Sequence, residues 1–191
     1  MSTRELTSTW TVIRLEDAPP VPWRNGGGIT HELAAQPGPQ NWAWRASVAE
    51  VSSDGPFSRF DGVKRWFCVI SGAGVRLGLR GVTQTLTTQS EPFAFDGASA
   101  PECFLINGPT QDFNLMTRHT AALMQRIDEP QERFLKVGRT VALYSGGTAA
   151  HIEFEGDGCD LPPHTLAWRK LDRAGEVKMS GSTALWMEIA D

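Results

Sequence analysis

The chain has 191 residues and a formal net charge of −4, enough length for one large or two small domains with a substantial buried core. Its 18 basic and 22 acidic residues are dispersed, which excludes the electrostatic footprint of a nucleic-acid binder, and no run of about eighteen apolar residues could span a bilayer. Three cysteines (Cys68, Cys103, Cys159) lie far apart without a CxxC spacing, and residues 1–10 are polar, so a disulfide framework, a structural zinc and an export signal are all set aside in favour of a reducing cytoplasm.

Residues 10–15 (WTVIRL) read as a first strand, and 16–22 as a proline-rich connection. The stretch 22–33 (PWRNGGGITHEL) organises the first half. Its three glycines free the backbone to turn sharply or to lie against a neighbour. The residues after them have the period of a strand, with Ile29, His31 and Leu33 alternating with Thr30 and Glu32. There is no GxxxxGK[ST] and no helix start, so the glycines are not a phosphate loop. Residues 41–51 (NWAWRASVAEV) alternate again: Trp42, Trp44, Ala46, Val48 and Glu50 face one way, Arg45, Ser47 and Ala49 the other.

Short strands separated by turns continue at 64–70, 75–79, 83–87, 92–95, 103–106 and 112–117. In the last of these Asp112, Asn114 and Met116 share a face. Residues 120–134 show no clean period and are read as a short helix or an extended link. Strands resume at 140–145, 149–155, 165–171, 176–179 and 184–189. Many short strands with frequent turn signals predict an all-β sandwich or barrel.

Five motifs in order, PWRNGGGITHEL (22–33), WAWRASVAEV (42–51), DGPFSRFDG (54–62), ISGAG (70–74) and DFNLMTR (112–118), resemble the HutD/Ves family. The resemblance is strong over residues 10–120 and weaker beyond. It implies a cupin-like jelly-roll fold arranged as a double barrel (a bicupin), with residues 1–118 as the first half and 119–191 as a second, degenerate half packed on it. It also implies, in the HutD branch, a role in histidine utilisation, restraining pathway expression by binding an intermediate. Cupins place metal ligands as G-x5-H-x-H-x3-4-E-x6-G, followed by a second histidine motif. Setting Gly72 as the closing glycine puts Arg65 at the glutamate and Ser58 and Phe60 near the histidines. Taking Asn107 as the later asparagine puts Cys103 at the last ligand. A guanidinium at a ligand position repels a cation, so no metal and no cofactor are expected.

An arginine facing into a barrel needs a carboxylate or an anionic ligand. Arg45 and Arg65 are the candidates, with Glu32 able to neutralise one and a ligand carboxylate the other. Asn25, Thr30, Ser47 and Asn114 offer neutral donors and acceptors, and Trp23, Phe60 and Met116 apolar walls. His31, on the apolar side of its strand, is read as packing, and Cys103 as an inert buried thiol. The expected partner is a small anionic metabolite such as a formylated amino acid or urocanate, with a homodimer allowed for and no catalytic residue assigned. A metal-free cupin enzyme of isomerase or epimerase type acting on a small acid stays open, as does a scaffold whose barrel is filled by side chains.

Overall fold

The computed structural model describes residues 10–79 and 81–190. These form nineteen strands: β1 (Thr11–Arg14), β2 (Pro20–Pro22), β3 (Gly28–Gln36), β4 (Trp44–Val51), β5 (Gly55–Pro56), β6 (Val63–Ser71), β7 (Val75–Leu79), β8 (Val82–Leu86), β9 (Phe93–Asp96), β10 (Glu102–Leu105), β11 (Thr110–Arg118), β12 (Ala122–Ile127), β13 (Gln131–Leu135), β14 (Thr140–Ser145), β15 (Ala150–Phe154), β16 (Asp157–Leu161), β17 (Thr165–Lys170), β18 (Gly175–Gly181) and β19 (Ala184–Ile189). Helix is confined, among the described residues, to two single 3-10 turns, Leu15–Asp17 and Gly97–Ser99. The all-β reading holds. No helix of the described residues is long and apolar enough to cross a membrane.

Contacts divide the chain into two compact units. One is Leu15–Met124. It pairs a six-stranded sheet, in the order β2-β3-β4-β11-β6-β9, with a four-stranded sheet, β5-β10-β7-β8. Val51, Phe67, Val69 and Phe95 from the first sheet meet Val75, Leu77, Leu86 and Cys103 from the second in one buried cluster. Each fully buried side chain of Leu or Phe size contributes about 1.5–3 kcal/mol to holding the sheets together.

Among the described residues, the other unit joins 10–14 with 125–190. It too has two sheets, β1-β17-β14-β19-β12 and β13-β18-β15-β16. Val141, Leu143 and Trp186 of the first pack with Ile152, Phe154 and Val177 of the second.

The division therefore differs from the expected one at residues 118/119. The reason is the register of β1, whose Thr11–Arg14 run antiparallel to Trp168–Thr165, so the N-terminal strand belongs to the C-terminal unit. Trp10 fixes the attachment by donating its indole N–H to the Asp157 carbonyl, 3.0 Å away. Two further segments differ from expectation. The proline-rich connection contains β2, which pairs with Ile29, Thr30 and His31 at the edge of its sheet, where prolines cost no ladder hydrogen bond. Residues 120–134 hold β12 and β13 with no helix between them.

Candidate functional site

Period two and register together build the site. On the inner face of the six-stranded sheet, three rows of side chains run across the strands. Arg45, Met116, Arg65 and Phe95 are direct neighbours from β4, β11, β6 and β9. The next row is Glu32, Ser47, Asn114 and Phe67, and the third is Thr30, Ala49, Asp112 and Val69. A bulge in β3 between Glu32 and Ala34 shifts the register just where Glu32 turns toward Arg45.

Apart from Phe67, Val69 and Phe95, which pack in the core, these rows floor a cavity of about 620 Å³. The remaining walls are Pro19, Val21, Pro22, Trp23 and Asn25 on one side and Pro56, Phe57, Ser58 and Phe60 on the other. All ten residues singled out from the sequence, Trp23, Asn25, Thr30, Glu32, Arg45, Ser47, Phe60, Arg65, Asn114 and Met116, line this one cavity.

The glycine run explains how Trp23 reaches it. Trp23 N–H donates to Gly28 O (2.9 Å) and Gly26 N–H to Trp23 O (3.0 Å), closing a tight loop in which Gly26 sits at φ 71°. A Cβ on Gly28 would lie 2.2 Å from the Glu50 carbonyl oxygen and 3.2 Å from the Trp23 ring, so only glycine lets the indole lie over the backbone here. The ring is then held by Nε1–H donating to Thr30 Oγ1 at 2.7 Å and by an edge contact with Phe57.

The two arginines are answered differently. Arg45 Nε lies 2.6 Å from Glu32 Oε2, an ion pair between partly exposed side chains at an angle that makes no hydrogen bond. Arg65 is 5% exposed and, among the described residues, has no carboxylate within ion-pair distance. Its Nη2 donates to Asn114 Oδ1 at 2.8 Å, and its Nε has no acceptor. Phe57 and Phe95 rings stand 5.1 Å from its guanidinium carbon and Phe60 5.8 Å, within cation–π range. Burial lowers its pKa to about 10, against the pull of Asp112, so it keeps its charge at neutral pH.

Asp112 is a cavity residue missing from the set that the sequence singles out. Alternation puts it on the right face, beside Asn114, but nothing local marks it as buried. Asn114 Nδ2–H donates to Asp112 Oδ1, so the amide stands between the carboxylate and Arg65. Asp112 is 1% exposed, and its Oδ2 has no partner. Burial pushes its pKa up to about 7, outweighing the attraction of Arg65 and the Asn114 hydrogen bond. Cys103, on the facing sheet, is pushed up to about 12, first by burial and then by the nearby Asp112 and Asp54 carboxylates; it stays a thiol. His31 Nδ1 lies 2.7 Å from the Ala18 carbonyl oxygen, outside the cavity lining, as a packing residue does.

The donor set does not fit a divalent cation. No histidine or cysteine lines the cavity, and its two carboxylates share it with two guanidinium groups. Among the described residues no group of three or more His, Cys, Asp or Glu side chains could hold a metal ion.

A two-sheet β unit with a cavity on its inner face, walled by apolar residues around a few polar groups, has a cupin-like fold. The same fold is seen in a cupin 2 conserved barrel domain protein from Leptotrichia buccalis (TM-score 0.57, 6% identity, 97% of each chain). More narrowly, the chain belongs to the HutD family, whose sequence profile it matches over residues 15–187. It is 32% identical over 149 residues to an uncharacterized 21.2 kDa protein in the hutC 3′ region of Pseudomonas putida, covering 76% of this chain and 78% of that one. It is 39% identical over 129 residues to Protein Ves of Citrobacter koseri, covering 65% and 67%. The solved structure of HutD from Pseudomonas fluorescens SBW25, in a formate condition, superposes with a TM-score of 0.84 at 31% identity over 95% of this chain and 98% of that one.

Proposed function

We propose that this protein binds a small carboxylate metabolite in the Arg65 cavity and, as a cytoplasmic sensor of the HutD type, restrains expression of the pathway that makes or consumes it. The observation that carries this reading is Arg65: a buried, charged guanidinium, walled by aromatic rings, with one neutral hydrogen-bond partner and no direct counter-ion among the described residues. Leaving such a group uncompensated is expensive, and a planar carboxylate matches its fork of donors. Apolar walls with a few placed polar groups are the make-up of a small-molecule site. The setting in histidine utilisation is supported by the names of the relatives, a hutC-region protein and HutD. Intermediates with a carboxylate, such as a formylated amino acid or urocanate, are the first ligands to try.

Calorimetric titration of the protein with N-formyl-L-glutamate, urocanate and small dicarboxylates tests the reading. Saturable binding to the wild type, lost in Arg65→Ala, supports it. Binding that survives Arg65→Ala unchanged removes Arg65 from the site.

A second reading is favoured by one observation. Asp112, a cavity carboxyl with its pKa raised to about 7, has the poise of a general acid or base. In that case the protein is a metal-free cupin enzyme of isomerase or epimerase type. Incubation of the same acids with the protein in deuterated water, with NMR to detect exchange or conversion, separates catalysis from binding.

A further inference from the structure

The proposed function concerns Arg65 and a ligand; the residues behind Arg65 say more about how the charge is balanced. Two cations and two carboxyl groups line the cavity. Glu32 is committed to Arg45. That leaves Arg65 facing Asp112 through the Asn114 amide, which donates to the carboxylate and accepts from the guanidinium. The remaining Asp112 oxygen is buried and bare. Around it the flanking strands offer Ala49 from β4 and Val69 from β6, Cys103 stands across on β10, and Arg65 and, more remotely, Arg45 supply the positive charge. A carboxylate with one oxygen unsolvated and its cation held one amide away is a weakly stabilised anion.

Resting on the reading of a carboxylate-binding site, we propose that the ligand's carboxylate replaces Asp112 as the counter-ion of Arg65, so that the site takes up its acid together with one proton, which goes to Asp112. The exchange is balanced. One proton leaves solvent, an O–H bond forms at Asp112, and the buried cluster keeps the net charge it had before the ligand entered. Without the proton, an anion added at Arg65 would face an ionised Asp112 across a single side chain, both groups being buried. The raised proton affinity of Asp112 already brings its neutral form within reach near neutral pH. Asp112 is thereby a specificity-determining residue: it limits the inner end of the cavity to one carboxylate and makes its affinity fall with rising pH.

Linkage sets the sign. Below pH about 7 Asp112 is already protonated in the free protein, and affinity is flat. Above it, binding must draw a proton, and affinity falls by about tenfold per pH unit until the bound-state pKa is passed. The test is calorimetry of the intact chain with N-formyl-L-glutamate, whose carboxylates are ionised throughout pH 6–9, in pairs of buffers with different ionisation enthalpies. At pH 8 to 9 the wild type is expected to take up close to one proton per bound ligand. Asp112→Asn can still accept the Asn114 hydrogen bond, and is expected to bind with no proton uptake, a flat pH profile and about hundredfold tighter affinity than wild type at pH 9. Binding with no proton uptake in the wild type overturns the inference while leaving the carboxylate site standing, and this measurement needs no variant to fold. Absence of binding of N-formyl-L-glutamate and of urocanate in every buffer overturns the site and the inference together.

Discussion

Arg65 and Arg169 are both buried arginines among aromatic rings, one in each unit, and they differ in what answers their charge. Arg169, on β17, is 7% exposed and lies 5.3 Å from the Trp10 ring and 4.7 Å from Phe154. Its Nη1 donates to Asp157 Oδ2 at 2.9 Å, and Asp172 stands 4.0 Å away. Arg65 is buried to a similar degree in similar aromatic company, but among the described residues it has only an amide in hydrogen-bond reach. Both have an Nε without an acceptor, so that feature does not separate them. The separating feature is the direct carboxylate. Arg169 is a completed structural pair that helps tie Trp10 and β17 to the start of β16 at Asp157. Arg65 is a cation beside a cavity, with its balancing carboxyl held one residue back.

If that contrast is right, the two arginines respond oppositely to mutation. The largest expected effect is on the structural side. Asp157→Ala leaves Arg169 buried beside only the more distant Asp172 and should cost about 3–5 kcal/mol of unfolding free energy in denaturant titration. Acid binding by the folded protein should be unchanged. A loss well under that range would make Arg169 as loosely answered as Arg65 and dissolve the comparison.

On the other side, Arg65→Ala should lose about 2–5 kcal/mol of acid binding while the unfolding midpoint holds, because Asp112 can meet the loss of its cation by taking a proton. Arg65→Lys should recover little, since it keeps the charge and loses the planar fork. Arg45→Ala should cost less than Arg65→Ala, Arg45 being paired already. Glu32→Gln frees Arg45 and should tighten anion binding or broaden the range of acids accepted. Equal losses in the two arginine variants would place the ligand between the arginines rather than at Arg65.

A third effect concerns stability against pH. The folded-state pKa of Asp112 is about 7, above the ordinary value of 3.8, so its contribution is fully present below pH about 4 and is lost as pH rises through about 7. Unfolding free energy measured across that window should decline more in the wild type than in Asp112→Asn. Identical slopes would mean that Asp112 is ionised and stabilised in the fold like an ordinary paired carboxylate.

The smallest expected effect is none. Elemental analysis should find no stoichiometric transition metal, and a chelator should leave thermal stability unchanged, because the cavity carboxylates are opposed by guanidinium groups. About one retained metal per chain would overturn the assignment of the cavity to anions.

Much of the site is legible in the sequence because it is built on strands. Alternation in β3, β4 and β11 puts Thr30 with Glu32, Arg45 with Ser47, and Asn114 with Met116, and antiparallel register then brings those faces into adjacent rows. Arg65 stands out through its place in the cupin ligand frame, which resemblance supplies. The features that are not legible depend on distant parts of the chain. Asp112 shares the face of Asn114, but its burial depends on the facing sheet, where Cys103 stands near it, which no local pattern reveals. The membership of β1 in the C-terminal unit rests on pairing with residues about 150 positions away, beyond any periodicity. The β2 edge is hidden by its prolines, and β12 and β13 by the polar, irregular alternation of residues 120–134.

The central claim, that Arg65 is held ready for a ligand carboxylate, is tested most directly by a crystal structure of the protein grown with N-formyl-L-glutamate or urocanate. The account predicts a carboxylate in the plane of the Arg65 guanidinium, accepting from its N–H groups at about 2.7–2.9 Å, with Arg45 still on Glu32. A ligand whose carboxylate lies elsewhere while Arg65 keeps Asn114 as its sole partner would contradict it.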